Sequence, residues 1–193
     1  MAKILTFEFI DEKHLWTVEI KKIDENIVAV VTTFERLLKN TSSKNRPCCG
    51  LYNIEELNFP NRSSDILECE VEDEDNKDNI QKFEGFKKGN HNIEAKTEPI
   101  TVKPNHKAKV RGKAIQYRRI NDTIYETFMF PAVDPQIEVT ISDEFEHMVE
   151  FGTRGDVEKS KYRNIYTLSG VYFPGQYMRV RWWPKELATT PLK

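Results

Sequence analysis

An α+β fold, mostly β, is what two apolar patterns and one missing signal predict for this chain of 193 residues. From Glu12 to Leu38 apolar residues recur at spacings near three and four, and no Gly or Pro occurs before Pro47. From about Asn92 the apolar period drops to two, in short segments punctuated by Gly, Pro, Asn and Asp. The first pattern is that of an amphipathic helix, the second that of an antiparallel sandwich or barrel. The expectation is therefore an N-terminal amphipathic helix followed by a C-terminal antiparallel β-sandwich. Residues 1–90 form a helical and acidic N-terminal region with short strands, 91–187 the sandwich, and 188–193 a flexible tail.

The helical stripe runs through Leu15, Trp16, Ile20, Ile23, Ile27, Val30, Val31, Phe34, Leu37 and Leu38. Twenty-seven residues in one helix would reach about 40 Å at 1.5 Å per residue, more than one small core covers. Ile20, Ile27 and Phe34, with Tyr177 from the last strand, are accordingly the candidate partner interface for self-association or a protein partner. The run Ile27–Thr33 is β-branched except at Ala29, so a shorter helix or a strand is the alternative there.

Asn40–Pro47 carries the turn residues of a connector, and "CCGLYNI" and "ILECEV" read as short strands. Seven acids against one Lys between Glu68 and Asp78 make an acidic loop. Asp73, Asp75 and Asp78 lack the Gly and closing Glu of a helix-loop-helix calcium site, so no metal is expected. In the sandwich, Ala108, Val110 and Ala114, Ile137, Val139 and Ile141, and Met178, Val180 and Trp182 are the candidate core faces. Pro174-Gly175 suits the centre of a type II turn, which would pair Ile165–Phe173 with Tyr177–Trp183 as a hairpin rich in aromatics.

The net charge of −2 hides an asymmetry: residues 1–100 sum to −6 and residues 101–193 to +4. No stretch is long and apolar enough for a membrane span and no signal peptide is evident, so no membrane insertion and a cytoplasmic location are expected. Nucleophile elbow, zinc, phosphate-loop and dinucleotide motifs are absent, and His14, His91, His106 and His147 are scattered. No cofactor is expected. Cys48 and Cys49, beside Arg46, are either a reactive pair or small buried side chains. Cys69 makes the cysteine count odd, which argues against a disulfide framework.

The basic stretch says more. Thr101–Arg119 holds seven Lys or Arg and no acid; on a strand Lys107, Lys109, Arg111 and Lys113 share one face and Ala108, Val110, Gly112 and Ala114 the other. Tyr177, Arg179, Arg181 and Trp183 repeat the pattern on the last strand. Lys107, Lys109, Arg111, Lys113, Arg179, Arg181 and Trp183 are thus the candidate binding residues. Their function is a solvated or edge-protecting face, an anion-binding face, or a dock for an acidic segment such as Glu68–Asp78 of this chain or another copy. The sequence reading is a non-catalytic binding protein recognising a protein partner or an anionic ligand, such as a nucleotide. Direct RNA or single-stranded DNA binding through the basic, aromatic face is one alternative. The other is an enzyme with dispersed residues such as His147, Glu146 and Cys48, assembled within the chain or across an oligomer interface.

Overall fold

In the computed structural model, which describes residues 7–89, 91–152, 157–159 and 164–188, the expected helix is a β-hairpin instead. Strands β1 (Phe9–Lys22) and β2 (Ile27–Asn40) pair antiparallel from end to end. The turn between them needs neither Gly nor Pro, because the Asp24 carboxylate accepts from the backbone N–H groups of Asn26 and Ile27, both at 2.9 Å. Such Asx geometry stands in for a glycine turn. The helical spacing arises from doublets: Leu15-Trp16, Val30-Val31 and Leu37-Leu38 each place one residue inward and one outward. Trp16, Val30 and Leu38 are buried while Leu15, Val31 and Leu37 are half-buried on the opposite face. The β-branched run Ile27–Thr33 favours the pleated form.

After β2 come β3 (Arg46–Cys48), β4 (Leu51–Glu55), β5 (Asp65–Asp73), β6 (Asn76–Lys82), β7 (Phe86–Lys88), β8 (Asn92–Lys96) and β9 (Ile100–Val102). The long strand β10 (Lys107–Arg119) leads to β11 (Asp122–Thr127), β12 (Ala132–Val133), β13 (Gln136–Ile141) and β14 (Phe145–Phe151). The chain continues through β15 (Val157–Lys159), β16 (Ile165–Leu168), β17 (Val171–Tyr172) and β18 (Tyr177–Pro184) to one helical turn, Lys185–Ala188. No helix among the described residues is long and apolar enough to cross a membrane.

One ten-stranded sheet organises the molecule, in the order β15-β16-β13-β1-β2-β10-β5-β6, with β12 pairing with β1 and β17 pairing with β12. It draws strands from both sides of residue 90, and β1 runs parallel to β13. Its inner face carries Val18, Ile20, Val28, Val30, Ala108, Ala114, Ile137 and Val139, all buried. Over that face lie the small sheets β4-β8-β7 and β11-β18-β14, with the pair β3-β9; Tyr52, Ile93, Met178, Val180 and Trp182 close one continuous core with it. The candidate core residues on β10, β13 and β18 thus face inward, with Ile141 only partly covered. Pro174-Gly175 does turn, with Gly175 at φ 89°. It joins no hairpin, however, because β17 pairs with β12 whereas β18 pairs with β11 and β14.

Two local features shape the inner face of the sheet. A β-bulge between Asp11 and Lys13 changes the parity of β1, so that Asp11 and His14 both point inward and the Asp11 carboxylate lies 2.8 Å from His14 Nδ1. Gly112 faces Phe34 across the β2–β10 ladder, and a Cβ there would stand 2.3 Å from Phe34 Cε1 and 2.9 Å from Tyr52 Cδ1. The missing side chain lets Phe34 lie flat against β10 and meet Tyr52 edge-on, ring centres 4.7 Å apart. Gly112→Ala is therefore expected to lower stability by about 1–3 kcal/mol, the usual cost of overpacking a core. Gly85→Ala, where a Cβ meets nothing within 4 Å, should change it little; urea denaturation of both variants checks the contrast.

A candidate ligand cleft between two sheet edges

The outer face of the large sheet carries the basic stretch, and the register there pairs nearly every charge with its opposite. Arg111 stands directly between Glu35 on β2 and Glu70 on β5, donates to Glu70 at 2.6 Å and Glu72 at 2.9 Å, and lies 3.7 Å from Glu35. Lys109 reaches Glu35 at 2.8 Å and Lys107 reaches Glu12 at 3.0 Å. Lys113 stands opposite Glu68 and Thr33. The acidic segment is therefore the dock's partner within the same chain: as β5 it lies alongside β10, and its remaining acids turn back at Asp73–Asp75, where Asp75 pairs with His106.

On β18, Arg179 pairs with Glu150 directly across the ladder, and the Arg181 guanidinium lies 5.9 Å from the Trp183 ring centre. Met178, Val180 and Trp182 face the core, so Arg179, Arg181 and Trp183 look outward from the second layer, while Lys107–Lys113 look outward from the first. The structure separates the two groups by its own thickness. Of the candidate interface residues, Ile20 and Phe34 are in the core, Ile27 is half-buried, and half-buried Tyr177 packs its ring on Gly152. The enzyme candidates are not assembled: Glu146 and His147 sit on β14, Cys48 on β3 in another sheet, and His147 is 2.8 Å from the Tyr166 hydroxyl.

The concave feature lies on the inner side, where the two small sheets leave a gap. It has a volume of about 540 Å³, within the range of ligand sites. Trp16, Thr32, Arg36, Gln116 and Arg118 of the large sheet form its floor. β4, with His91 and Asn92 at the head of β8, makes one wall; Ile124–Thr127 of β11, with Met129, makes the other. At the Arg36 end a second, smaller cavity of about 110 Å³ opens among Phe9, Leu38, Val110 and Phe130.

Two arginines stand in the floor almost wholly buried. Arg36 lies over the Phe34 ring at 4.8 Å and pairs with Glu126. Arg118 donates to Glu55 at 2.6 Å and to Gln116 at 2.9 Å. The Nε of each has no hydrogen-bond partner. Between them Thr32 and Tyr52 share a hydroxyl hydrogen bond of 2.5 Å. Burial, with Glu126 adding to it, pushes the Tyr52 hydroxyl well above its ordinary value, so this phenol stays protonated and acts as a neutral polar group. The fixed charges of Arg36, Arg118, Glu55 and Glu126 sum to zero. Such a cleft suits a neutral or zwitterionic polar occupant better than a polyanion.

Sequence reasoning missed these residues although one signal was available. In the alternation of β10, Gln116 and Arg118 continue the inward face of Ala108, Val110, Gly112 and Ala114, which makes them polar residues on a core parity. The reactive reading of Cys48 is not supported, since burial pushes the Cys48 and Cys69 thiols up to about 12 and a thiol in that range is inert at neutral pH. Among the described residues no group of three or more His, Cys, Asp or Glu is arranged to hold a metal.

No protein-family model and no curated protein sequence matches the chain. Solved structures do align with it. A provisionally assigned nutrient-binding protein from Legionella pneumophila superposes over 91% of this chain and 67% of its own, with a TM-score of 0.56 and 8% identity. A provisionally assigned protease from Parabacteroides distasonis covers 96% of this chain and 37% of its own, TM-score 0.48 and 8% identity. An M1 zinc metallopeptidase from Deinococcus radiodurans covers 91% and 43%, TM-score 0.43 and 9% identity. The chain thus spans less than half the length of the last two, and at 8% identity the likeness to the first is one of fold alone.

Two outcomes follow from these charges and thiols. Glu12 is held below the ordinary glutamate value of 4.5 by its hydrogen bond to Lys107. Glu35 is raised by burial but lowered further by Lys109 and Lys13, so that it too lies below 4.5. A carboxylate more acidic in the folded chain stabilises it fully above the unfolded value and loses that contribution as pH falls through the folded one. Urea midpoints should therefore decline as pH falls below the ordinary glutamate value of 4.5, and Glu35→Gln should flatten part of that slope. In native protein at neutral pH, iodoacetamide should leave Cys48 and Cys69 unmodified, and should label both once the chain is unfolded; peptide mass mapping reads the difference.

Proposed function

We propose that the protein is a non-catalytic binding module whose ligand occupies the cleft between the two small sheets. The observation that carries this reading is the pair of almost wholly buried arginines, Arg36 and Arg118, that line a cavity of about 540 Å³ and leave each Nε without a hydrogen-bond partner. Burying guanidinium groups is expensive unless geometry compensates it, and a fold that needed only a core would place apolar side chains there. The rim supplies contact area as well: Tyr125 is 68% and Met129 46% exposed, residue types that serve as adaptable binding surface. The fold likeness to a provisionally assigned nutrient-binding protein runs in the same direction but carries no residue across.

Binding of a nucleic acid to the outer basic face is disfavoured by charge accounting. Lys107, Lys109 and Arg111 each already have carboxylate partners, and a phosphate backbone would have to displace them. A catalytic role for the Asp11–His14 pair is disfavoured by burial, since both side chains are at most 3% exposed and a general base must reach the proton that it moves.

The test is amide NMR with two probes, a fragment set of small carboxylates, amides and sugars, and a ten-nucleotide oligouridine at low and high salt. Fragments should shift the amides of Asn53, Asn92, Tyr125 and Thr127, and Tyr125→Lys should weaken them several-fold. Oligouridine binding centred on Lys107–Lys113, and steeply weakened by salt, would overturn the reading.

A further inference from the structure

Both long walls of the cleft are strands at the edge of a sheet. β4 ends the order β4-β8-β7 and β11 ends the order β11-β18-β14. All five residues of β4 line the cavity, β8 contributes only Asn92 at its head, and β18 contributes none. The cavity therefore lies on the unpaired side of each strand, where among the described residues the backbone N–H and C=O groups have no ladder partner. We propose that the occupant is an extended peptide segment that pairs as a strand with the free edges of β4 and β11. This rests on the binding reading above and names its ligand class.

The edges themselves support the assignment. Free strand edges invite pairing, and proteins guard those that must stay single with lysine, proline or bulges. β6, at one end of the large sheet, carries Lys77 and Lys82 and a register irregularity against β5. β7, the far edge of one small sheet, carries Lys87 and Lys88. β4 reads Leu-Tyr-Asn-Ile-Glu and β11 Asp-Thr-Ile-Tyr-Glu-Thr: neither has a lysine or a proline, and both pair in unbroken register on their inner sides. β14, the far edge of the other small sheet, also lacks lysine and proline, but of these edges only β4 and β11 line the cleft.

The chemistry of the gap fits a peptide. At about 3.4 Å per residue, strands of five and six residues present roughly 17–20 Å of ladder. Backbone amides are neutral dipoles, which matches lining charges that cancel, with Arg36–Glu126 towards one end and Arg118–Glu55 towards the other. Thr32 and Gln116 in the floor offer polar contacts to alternate side chains. The smaller cavity beyond Arg36, walled by Phe9, Leu38, Val110 and Phe130, takes one apolar side chain as an anchor. Strand addition of this kind draws affinity from main-chain bonds and specificity from pockets for alternate side chains.

The experiment pans a phage-displayed random nine-residue library on the purified chain and resynthesises the recovered peptides with and without N-methylated central amides. Expected are peptides with an apolar anchor whose affinity falls at least tenfold on N-methylation and is lost in the double variant Asn53→Lys, Tyr125→Lys. Hydrogen exchange should show new protection of amides in β4 and β11 on binding. Peptides that bind in the cleft but tolerate N-methylation and protect no edge amide would overturn strand pairing and leave the binding reading intact. Peptides that bind elsewhere, or no enrichment at all, would overturn the peptide assignment; the fragment shifts then decide the fate of the cleft independently.

Discussion

Pairing of β1, β2 and β10 over thirteen or more residues creates a long sheet whose two faces must be handled separately, and the rest of the molecule is arranged by that need. The inner face is apolar enough to require cover, and the cover is two small sheets rather than one large one. Two sheets laid on a longer one leave a seam. Arg36, Arg118, Thr32 and Gln116 occupy the seam, where the gap between the two small sheets lets inward-facing positions of the long strands be polar.

The outer face is managed by register. Residues directly opposite one another on paired strands share a face and interact, so Arg111 between Glu35 and Glu70 is a consequence of alignment rather than of flexible side chains finding each other. Each such pair is partly exposed and worth about 0–1 kcal/mol alone. Together they bring opposite charges from the two halves of the chain onto one face of the sheet. A slip of one residue in β10 would bring Lys107, Lys109 and Arg111 into the core and Ala108, Val110 and Ala114 out to solvent, so register is strongly specified.

Several elements were legible from residue order. The alternation of β10, β13 and β18 identified their inward faces, the Gly175 turn was placed, and docking of the acidic segment on the basic strand was one of three readings of that face. The helix expected over Glu12–Leu38 was a misreading with a clear cause. Strands at the centre of a large sheet bear apolar residues on both faces, and doublets such as Val30-Val31 then imitate helical spacing. The turn at Asp24–Asn26 uses a carboxylate where Gly or Pro would have announced it. The bulge after Asp11 likewise has no sequence signature, yet it alone puts Asp11 and His14 on one side of β1.

By itself the sequence determined the inward faces of β10, β13 and β18, several of the turns and the opposite net charges of the two halves, because these depend on local periodicity and composition. Only the tertiary structure decided that the first long segment is a hairpin, that β10 joins it while β11 leaves for another layer, and that two unguarded sheet edges face each other over Arg36 and Arg118. Those outcomes depend on which strands pair and in what register. Pairing between residues as distant in sequence as Glu55 and Arg118 is set by closure of the whole core, and no window of the sequence contains it.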